Sequence, residues 1–325
     1  MEIPAFKIVA DGQDITGKIN DRLERLIVHD ETGSKSDTVT IEIDNREQAV
    51  FLPSTGARLD IWIGLGKVLT YKGSYQVNEL EEPIEEDILT IHATAAEFKN
   101  SGIKAPRDRT FDNITYGELV EQIAQEYGLM PVIGEQLSSI KFEHIDQKAE
   151  SDLNLLTRLG RQYDAIAKPV ADRLLVTSKG EGKTASGQPM PLITIDDPEN
   201  SAGRVTITER TNYQSVIAHW FDEQAQKKKK VQVGEGEPVF TIRRQFHDKN
   251  EAEDAAKAEK AKKHRGKKKM SLSRPLSPGL TAESRVMVKN HKDSANGLWV
   301  VESVDHVIER DQITTTSAEL ITPNK

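Results

Sequence analysis

Val39, Ile41 and Ile43 alternate with Thr40, Glu42 and Asp44, and Leu59, Ile61 and Ile63 alternate with Asp60 and Trp62. A period of two sends successive side chains to opposite faces, so these runs fit half-buried strands and do not fit helices. Weaker signals of the same kind stand at 6–9, 23–28, 71–77 and 88–93, with Gly, Pro, Asn and Asp between them. Short strands punctuated by turn residues favour a barrel or a sandwich, and closure would remove exposed edges. Residues 1–98 are therefore expected to form a first β-barrel-like domain.

The pattern changes over 99–185. Residues 104–107 (Lys-Ala-Pro-Arg) read as a linker. Thr115 and Glu118 form a Thr-x-x-Glu capping box, and Leu119, Val120, Ile123 and Ala124 give the helix an apolar face. Gly128 ends that helix and Pro131 prevents its continuation. A second helix opens at Ser151, an N-cap residue, with Asp152 in the first turn, where the helix dipole favours a carboxylate. Leu153, Leu156 and Leu159 follow at helical spacing with Leu155 flanking, and Gly160 late in the helix costs about 1 kcal/mol against Ala. Extended chain at 166–170, a turn at Ala171-Asp172-Arg173 and a return at 174–176 complete a small α+β insert.

Residues 186–325 return to β, with strands expected near 205–208, 215–221, 267–273, 285–288, 298–307 and 313–320. The runs 227–233 and 239–246 read as a hairpin across Gly234-Glu235-Gly236, and the Ala-, Glu- and Lys-rich stretch 251–263 reads as a helix. The fold class is α+β, mainly β: two β-barrel-like domains, 1–98 and 186–325, flank the insert 99–185.

Chemistry is sparse. The chain has no cysteine, which excludes disulfides and thiolate metal sites. No run approaches the roughly 18 apolar residues of a membrane helix, and the N-terminus lacks the basic-then-apolar order of a secretory signal. Neither a Gly-x-Ser-x-Gly elbow nor a phosphate loop occurs, and Gly64-Leu65-Gly66 lacks a third glycine and a following helix, so it reads as a turn. The eight histidines are dispersed, with no pair at metal-ligand spacing. No catalytic, cofactor or metal residues are assigned and no cofactor is expected. An acidic cluster of Glu81, Glu82, Glu85, Glu86 and Asp87 surrounds Pro83. Paired carboxylates can hydrolyse glycosides, but charges in a hairpin connection are usually solvated.

The net charge of -8 hides an uneven distribution, because residues 227–274 hold sixteen Lys and Arg against seven Asp and Glu. Lys227, Lys228, Lys229 and Lys230 sit between strands, and Lys267, Lys268 and Lys269 follow the helix. A solvated face, contact with an acidic protein and contact with phosphate all fit such a segment. The lack of interleaved aromatic residues argues against the last.

The Ser151-Asp152 helix with its Leu-rich face and short hairpin, the Ala-rich helix before the end, and the closing run Gly297-Leu298-Trp299-Val300-Val301-Glu302-Ser303-Val304-Asp305-His306 occur in an order that resembles the phage late control D family. Proteins of that family are the hubs of contractile tail baseplates, similar to the hub part of type VI secretion spike proteins. The resemblance covers almost the whole chain and implies a virion structural protein, assembled in the host cytoplasm, with no chemical step. It implies a homotrimer whose two barrels per subunit form a pseudo-six-fold ring between a six-fold tail tube and a three-fold spike. Expected partners are a separate spike protein, because the chain ends soon after its last strand, together with a tail tube or tape-measure protein and other baseplate proteins. If the lysines line a pore, they would also touch passing DNA transiently. Edge strands around Val39, Ile41 and Ile43 and around Trp299 and Val301 are the expected subunit contacts, Trp299 as an aromatic anchor. Packing of Trp299 inside its own barrel is the stronger alternative. A tail-associated cell-wall hydrolase using an Asp/Glu pair is the second functional reading.

Overall fold

The computed structural model describes residues 3–33, 37–48, 50, 53–95, 101–170, 173–182, 184, 188–208 and 213–323. The alternating runs at the N-terminal end become strands. They are β1 (Pro4–Ala10), β2 (Gln13–Asp14), β3 (Leu23–Glu31), β4 (Thr38–Asp44), β5 (Arg58–Leu65), β6 (Val68–Glu81) and β7 (Ile88–Ala95), with a single-turn helix α1 (Thr16–Ile19) before β3. They hydrogen-bond in the order β3-β4-β7-β6-β5-β1-β2. The apolar set of each run faces one core, where Ile41, Ile43, Ile61 and Ile63 pack with Leu26 and Leu89. Gly64-Leu65-Gly66 is the end of β5 and the tight β5–β6 turn, with Gly66 at φ +58°, a backbone state that favours glycine.

The insert contains β8 (Pro106–Thr115), α2 (Tyr116–Glu126), β9 (Met130–Ile133), α3 (Glu135–Ser138), β10 (Lys141–Ser151), α4 (Asp152–Gln162), β11 (Ala165–Val170) and β12 (Arg173–Ser178). The capping box is made: Thr115 accepts from the Glu118 N–H while the Glu118 carboxylate accepts from the Thr115 N–H. Ser151 caps α4 by accepting from the Asn154 N–H. The buried face of α4 is Leu155, Leu156 and Leu159, and Leu153 lies at its margin. Gly160 is required because a Cβ there would stand 2.9 Å from the Ala165 carbonyl oxygen. Residues 104–107 are not only a linker. Pro106 opens β8, which pairs antiparallel with β10 from Pro106↔Ser151 to Thr115↔Lys141. Ala171 and Asp172 of the expected turn lie outside the described residues, but β11 and β12 flanking them pair antiparallel.

The remaining chain forms β13 (Leu192–Ile195), β14 (Ala202–Ile207), β15 (Ser215–Asp222), β16 (Lys227–Gly234), β17 (Val239–Phe246), α5 (Lys249–Gly266), β18 (Lys268–Pro275), β19 (Arg285–Val288), β20 (Gly297–Glu309) and β21 (Thr315–Ile321). The expected β16–β17 hairpin does not form. β15 lies between them, antiparallel to β16 and parallel to β17. Val216 and Ala218 of β15 are fully buried against Ala252, Ala255 and Ala256 of α5, and the central place in the sheet gives them that cover. β14, β18, β21 and β20 continue the large sheet and join it to β3, while β19 pairs with both β13 and β20. They enclose a second core around Trp299, Val301, Val304, Leu272 and Leu320. β20 serves both halves: Gly297–Val300 pairs with β19, and Ser303–Glu309 pairs with β3.

By contacts the chain forms two compact units, one of residues 1–97, 191–205 and 270–320, the other of 98–190, 206–269 and 321–325. The stretch 186–325 expected as one domain is thus divided. The physical reason is that β15, β16, β17 and α5 bury their apolar side chains against one another in a separate sheet and core.

Candidate interaction surfaces

Val39, Ile41 and Ile43 are buried in the first core, and β4 lies between β3 and β7, so it is not an edge strand. Trp299 is 1% exposed and its indole N–H donates to the Ala295 carbonyl at 2.7 Å. Val301 is fully buried beside it, on a strand bonded to neighbours on both sides. These five side chains fill the chain's own cores and present no surface to a partner. Apolar alternation reports burial and does not distinguish a core from an interface.

The Ser151-Asp152 opening of α4 has a structural use. Asp152 is fully buried and accepts from the Tyr127 hydroxyl at 2.6 Å, from the Gln147 amide at 2.8 Å and from the Arg109 guanidinium. Arg109 also donates to Gln147 and Glu126, and Arg107 donates to Glu126. Burial first, and the hydrogen bond to Asp152 second, push the Tyr127 phenol up to about 12. The network ties β8, β10 and α2 to the N-terminus of α4. Satisfying each lone pair in this way is what makes a buried carboxylate tolerable.

A second buried chain of hydrogen bonds holds the loop between β18 and β19. The Ser277 N–H donates to Thr316 Oγ1, which lies 2.9 Å from His306 Nδ1, and His306 Nε2 lies 3.0 Å from the Leu280 carbonyl. A carbonyl only accepts, so Nε2 carries the proton. Lys72 Nζ donates to the Pro278 and Leu280 carbonyls at 2.7 and 3.1 Å. Burial lowers Lys72 to about 8 against the opposing charge of Asp30. His306 is therefore structural.

The lysines fall into separate groups. Lys267 is the C-cap of α5, and Lys268 and Lys269 open β18, whose Met270 and Leu272 enter the second core. Lys227–Lys230 lie on β16, at one edge of the β16-β15-β17 sheet. Lys229 faces α5, where it pairs with Asp222 and lies 5.5 Å from the Trp220 ring centroid. Lys228 and Lys230 point to the opposite face. There they stand across from Phe221 and His219, and exposed Arg243 follows on β17.

Sequence reading missed another surface. On the outer face of β1-β5-β6, Lys7, Trp62 and Tyr71 are consecutive register partners. Trp62 and Tyr71 ring centroids are 4.9 Å apart, and Lys7 Nζ lies 5.2 Å from the Trp62 centroid. Trp62 in the outward phase of an alternating strand was the available signal, because it puts an aromatic ring on the face opposite the core.

The acidic residues Glu81, Glu82, Glu85, Glu86 and Asp87 are all exposed in and beside the β6–β7 connection. Among the described residues no group of three or more His, Asp or Glu could hold a metal ion, and no helix is long and apolar enough to cross a membrane.

Two β cores on one sheet, buried polar networks that fix loops, and charged or aromatic outer faces define a structural scaffold of mainly β architecture. The chain belongs to the phage tail baseplate hub family, whose model, phage tail baseplate hub (GPD), matches residues 102–312. A probable baseplate hub protein of Escherichia phage 186 is 34% identical over 268 residues, covering 80% of this chain and 67% of that protein. Its counterpart in Escherichia phage P2 is 29% identical and covers 96% of this chain and 92% of that protein. Among solved structures, the 43 kDa tail protein of prophage MuSo2 from Shewanella oneidensis shares the fold with a TM-score of 0.70 at 13% identity, covering 99% of each chain. The chain is thus a baseplate hub protein of a phage or prophage tail.

Proposed function

We propose that three copies of this chain close into a ring at the centre of a contractile tail baseplate. A separate spike protein docks on one face of the ring, and a tail tube or tape-measure protein docks on the other. The observation that carries this reading is the shared strand β20, which belongs to two β cores at once. Each copy then contributes two β modules that do not come apart, and three copies present six, which adapts a six-fold tube to a three-fold spike. The work is geometric, and assembly takes place in the host cytoplasm. A ring needs two different surfaces on each copy, repeated around the axis. The basic face of β16-β15-β17 is one such surface.

Light scattering on a sizing column tests the ring. A species near three times the 36.3 kDa chain supports it. A chain that stays monomeric at every concentration, alone and co-expressed with spike proteins, refutes it. The hydrolase reading has no observation in its favour, since its carboxylates lie on an exposed turn.

A further inference from the structure

The sheet β16-β15-β17 has one covered face and one open face. On the covered face, α5 packs over Val216, Ala218 and Phe246. On the open face, Ile217, His219 and Phe221 form a half-buried row along β15. His219 stands opposite Lys230 and Phe221 opposite Lys228, and both lysines are exposed. Burial first, and the charges of Lys228 and Lys230 next, lower the His219 pKa, so the positive charge here belongs to the lysines and Arg243. An apolar row with cations beside it fits a partner with an apolar tip inside an acidic surround.

This chain carries such a partner. The β6–β7 connection places Ile84 at 103% exposure, with exposed Glu82 and Pro83 before it and exposed Glu85, Glu86 and Asp87 after it. Burying the Ile84 side chain against an apolar row is favourable. Pro83 fixes one backbone angle beside it, which reduces the cost of ordering the loop on contact.

We propose that the acidic 82–87 loop of one copy docks on the open, basic face of β16-β15-β17 of a second copy, with Ile84 against Phe221 and His219. The two surfaces differ, so the contact is head-to-tail and repeats around an axis until it closes. The inference rests on the ring reading and supplies one of its contacts.

The absence of cysteine makes the test direct. One full-length chain carries Ile84→Cys and a second carries His219→Cys, and the two are co-expressed and oxidised. A disulfide-linked dimer in the mixture, and in neither single variant, is expected. Lys228→Glu with Lys230→Glu is expected to weaken assembly about tenfold or more, because like charges then meet. Glu85→Lys with Glu86→Lys in the same chain is expected to restore it, and that rescue separates a lost contact from a lost fold. A trimer by light scattering that gives no cross-link overturns the docking and leaves the ring standing. A chain that never assembles overturns both. Unchanged assembly of the Lys228→Glu, Lys230→Glu chain, together with loss of a salt-sensitive shift of duplex DNA, assigns the face to nucleic acid instead.

Discussion

His29 and Asp305 are register partners in the ladder that joins the two halves of the large sheet, and His29 Nδ1 lies 2.7 Å from the Asp305 carboxylate. Burial alone would lower the His29 pKa, but the hydrogen bonds and charges of Asp305 and Glu31 outweigh it and raise it above 6.5. A raised histidine stabilises the fold below its unfolded pKa, and that contribution is lost as pH rises through the folded value. Thermal melts from about pH 6 upward should therefore show a small loss across the ladder. Asp305→Asn should flatten it. Solvent screening at this half-exposed pair keeps the effect under about 1 kcal/mol.

His306 has the opposite sign. Burial first, and the Lys72 charge second, hold it down to about 3 from an ordinary 6.5. Below pH 6.5 the unfolded chain takes up a proton that the folded chain refuses, so stability is lost as pH falls toward 3. The loss should reach on the order of 3 kcal/mol by about pH 4. His306→Gln should give a flatter acid limb in urea unfolding, with a lower plateau at neutral pH.

Asp152→Ala leaves the Arg109 guanidinium without its buried counter-ion and the Tyr127 hydroxyl without its acceptor. Removing one partner of a buried pair costs about 3–5 kcal/mol. The urea midpoint of the unit that holds α4 should fall accordingly. If Asp152→Ala unfolds at the parent midpoint, the network has no stabilising role.

How much of this was legible beforehand depended on whether the side chains report their own surroundings. Val39, Ile41 and Ile43 told correctly that β4 has a buried face, and Thr115 with Glu118 told where α2 begins. Strand β8 was hidden because Arg107, Asp108, Arg109 and Thr110 have no apolar alternation. It is held by ion pairs to residues about 20 and 45 positions away, such as Glu126 and Asp152. The order β16-β15-β17 was hidden for a different reason: Gly234-Glu235-Gly236 has hairpin composition, yet β15 takes the middle, where Val216 and Ala218 pack against α5. The interface residues were misplaced because a strand's apolar face looks the same whether its cover comes from its own chain or from another. The face of Lys7, Trp62 and Tyr71 could have been found from the phase of Trp62 alone.

Trp299→Ala empties a fully enclosed site and removes the indole bond to Ala295. The cost should be about 3–5 kcal/mol. It should appear as a lower melting temperature, while the protein that remains folded assembles as the parent does. A loss of assembly at unchanged melting temperature would instead place Trp299 at a subunit contact.

Gly160→Ala should destabilise although alanine is the better helix former by about 1 kcal/mol. The added Cβ would sit 2.9 Å from the Ala165 carbonyl oxygen, so α4 and β11 must move apart. Overpacking of this kind costs about 1–3 kcal/mol. Amide exchange should quicken along β11 and β12 before it does elsewhere.

The pairing of Arg25–Glu31 with Ser303–Glu309 also sets a timetable for synthesis. Strand β3 leaves the ribosome well before its partner, since His29 and Asp305 are 276 positions apart. Until β20 emerges, one side of β3 stands as an open edge, ready to pair with any extended chain nearby. Contacts this distant in sequence form slowly. The same strand that makes the finished halves inseparable therefore leaves the nascent chain exposed to mispairing until β20 has been made. Crowding several ribosomes on one message would bring many such edges together before any could close.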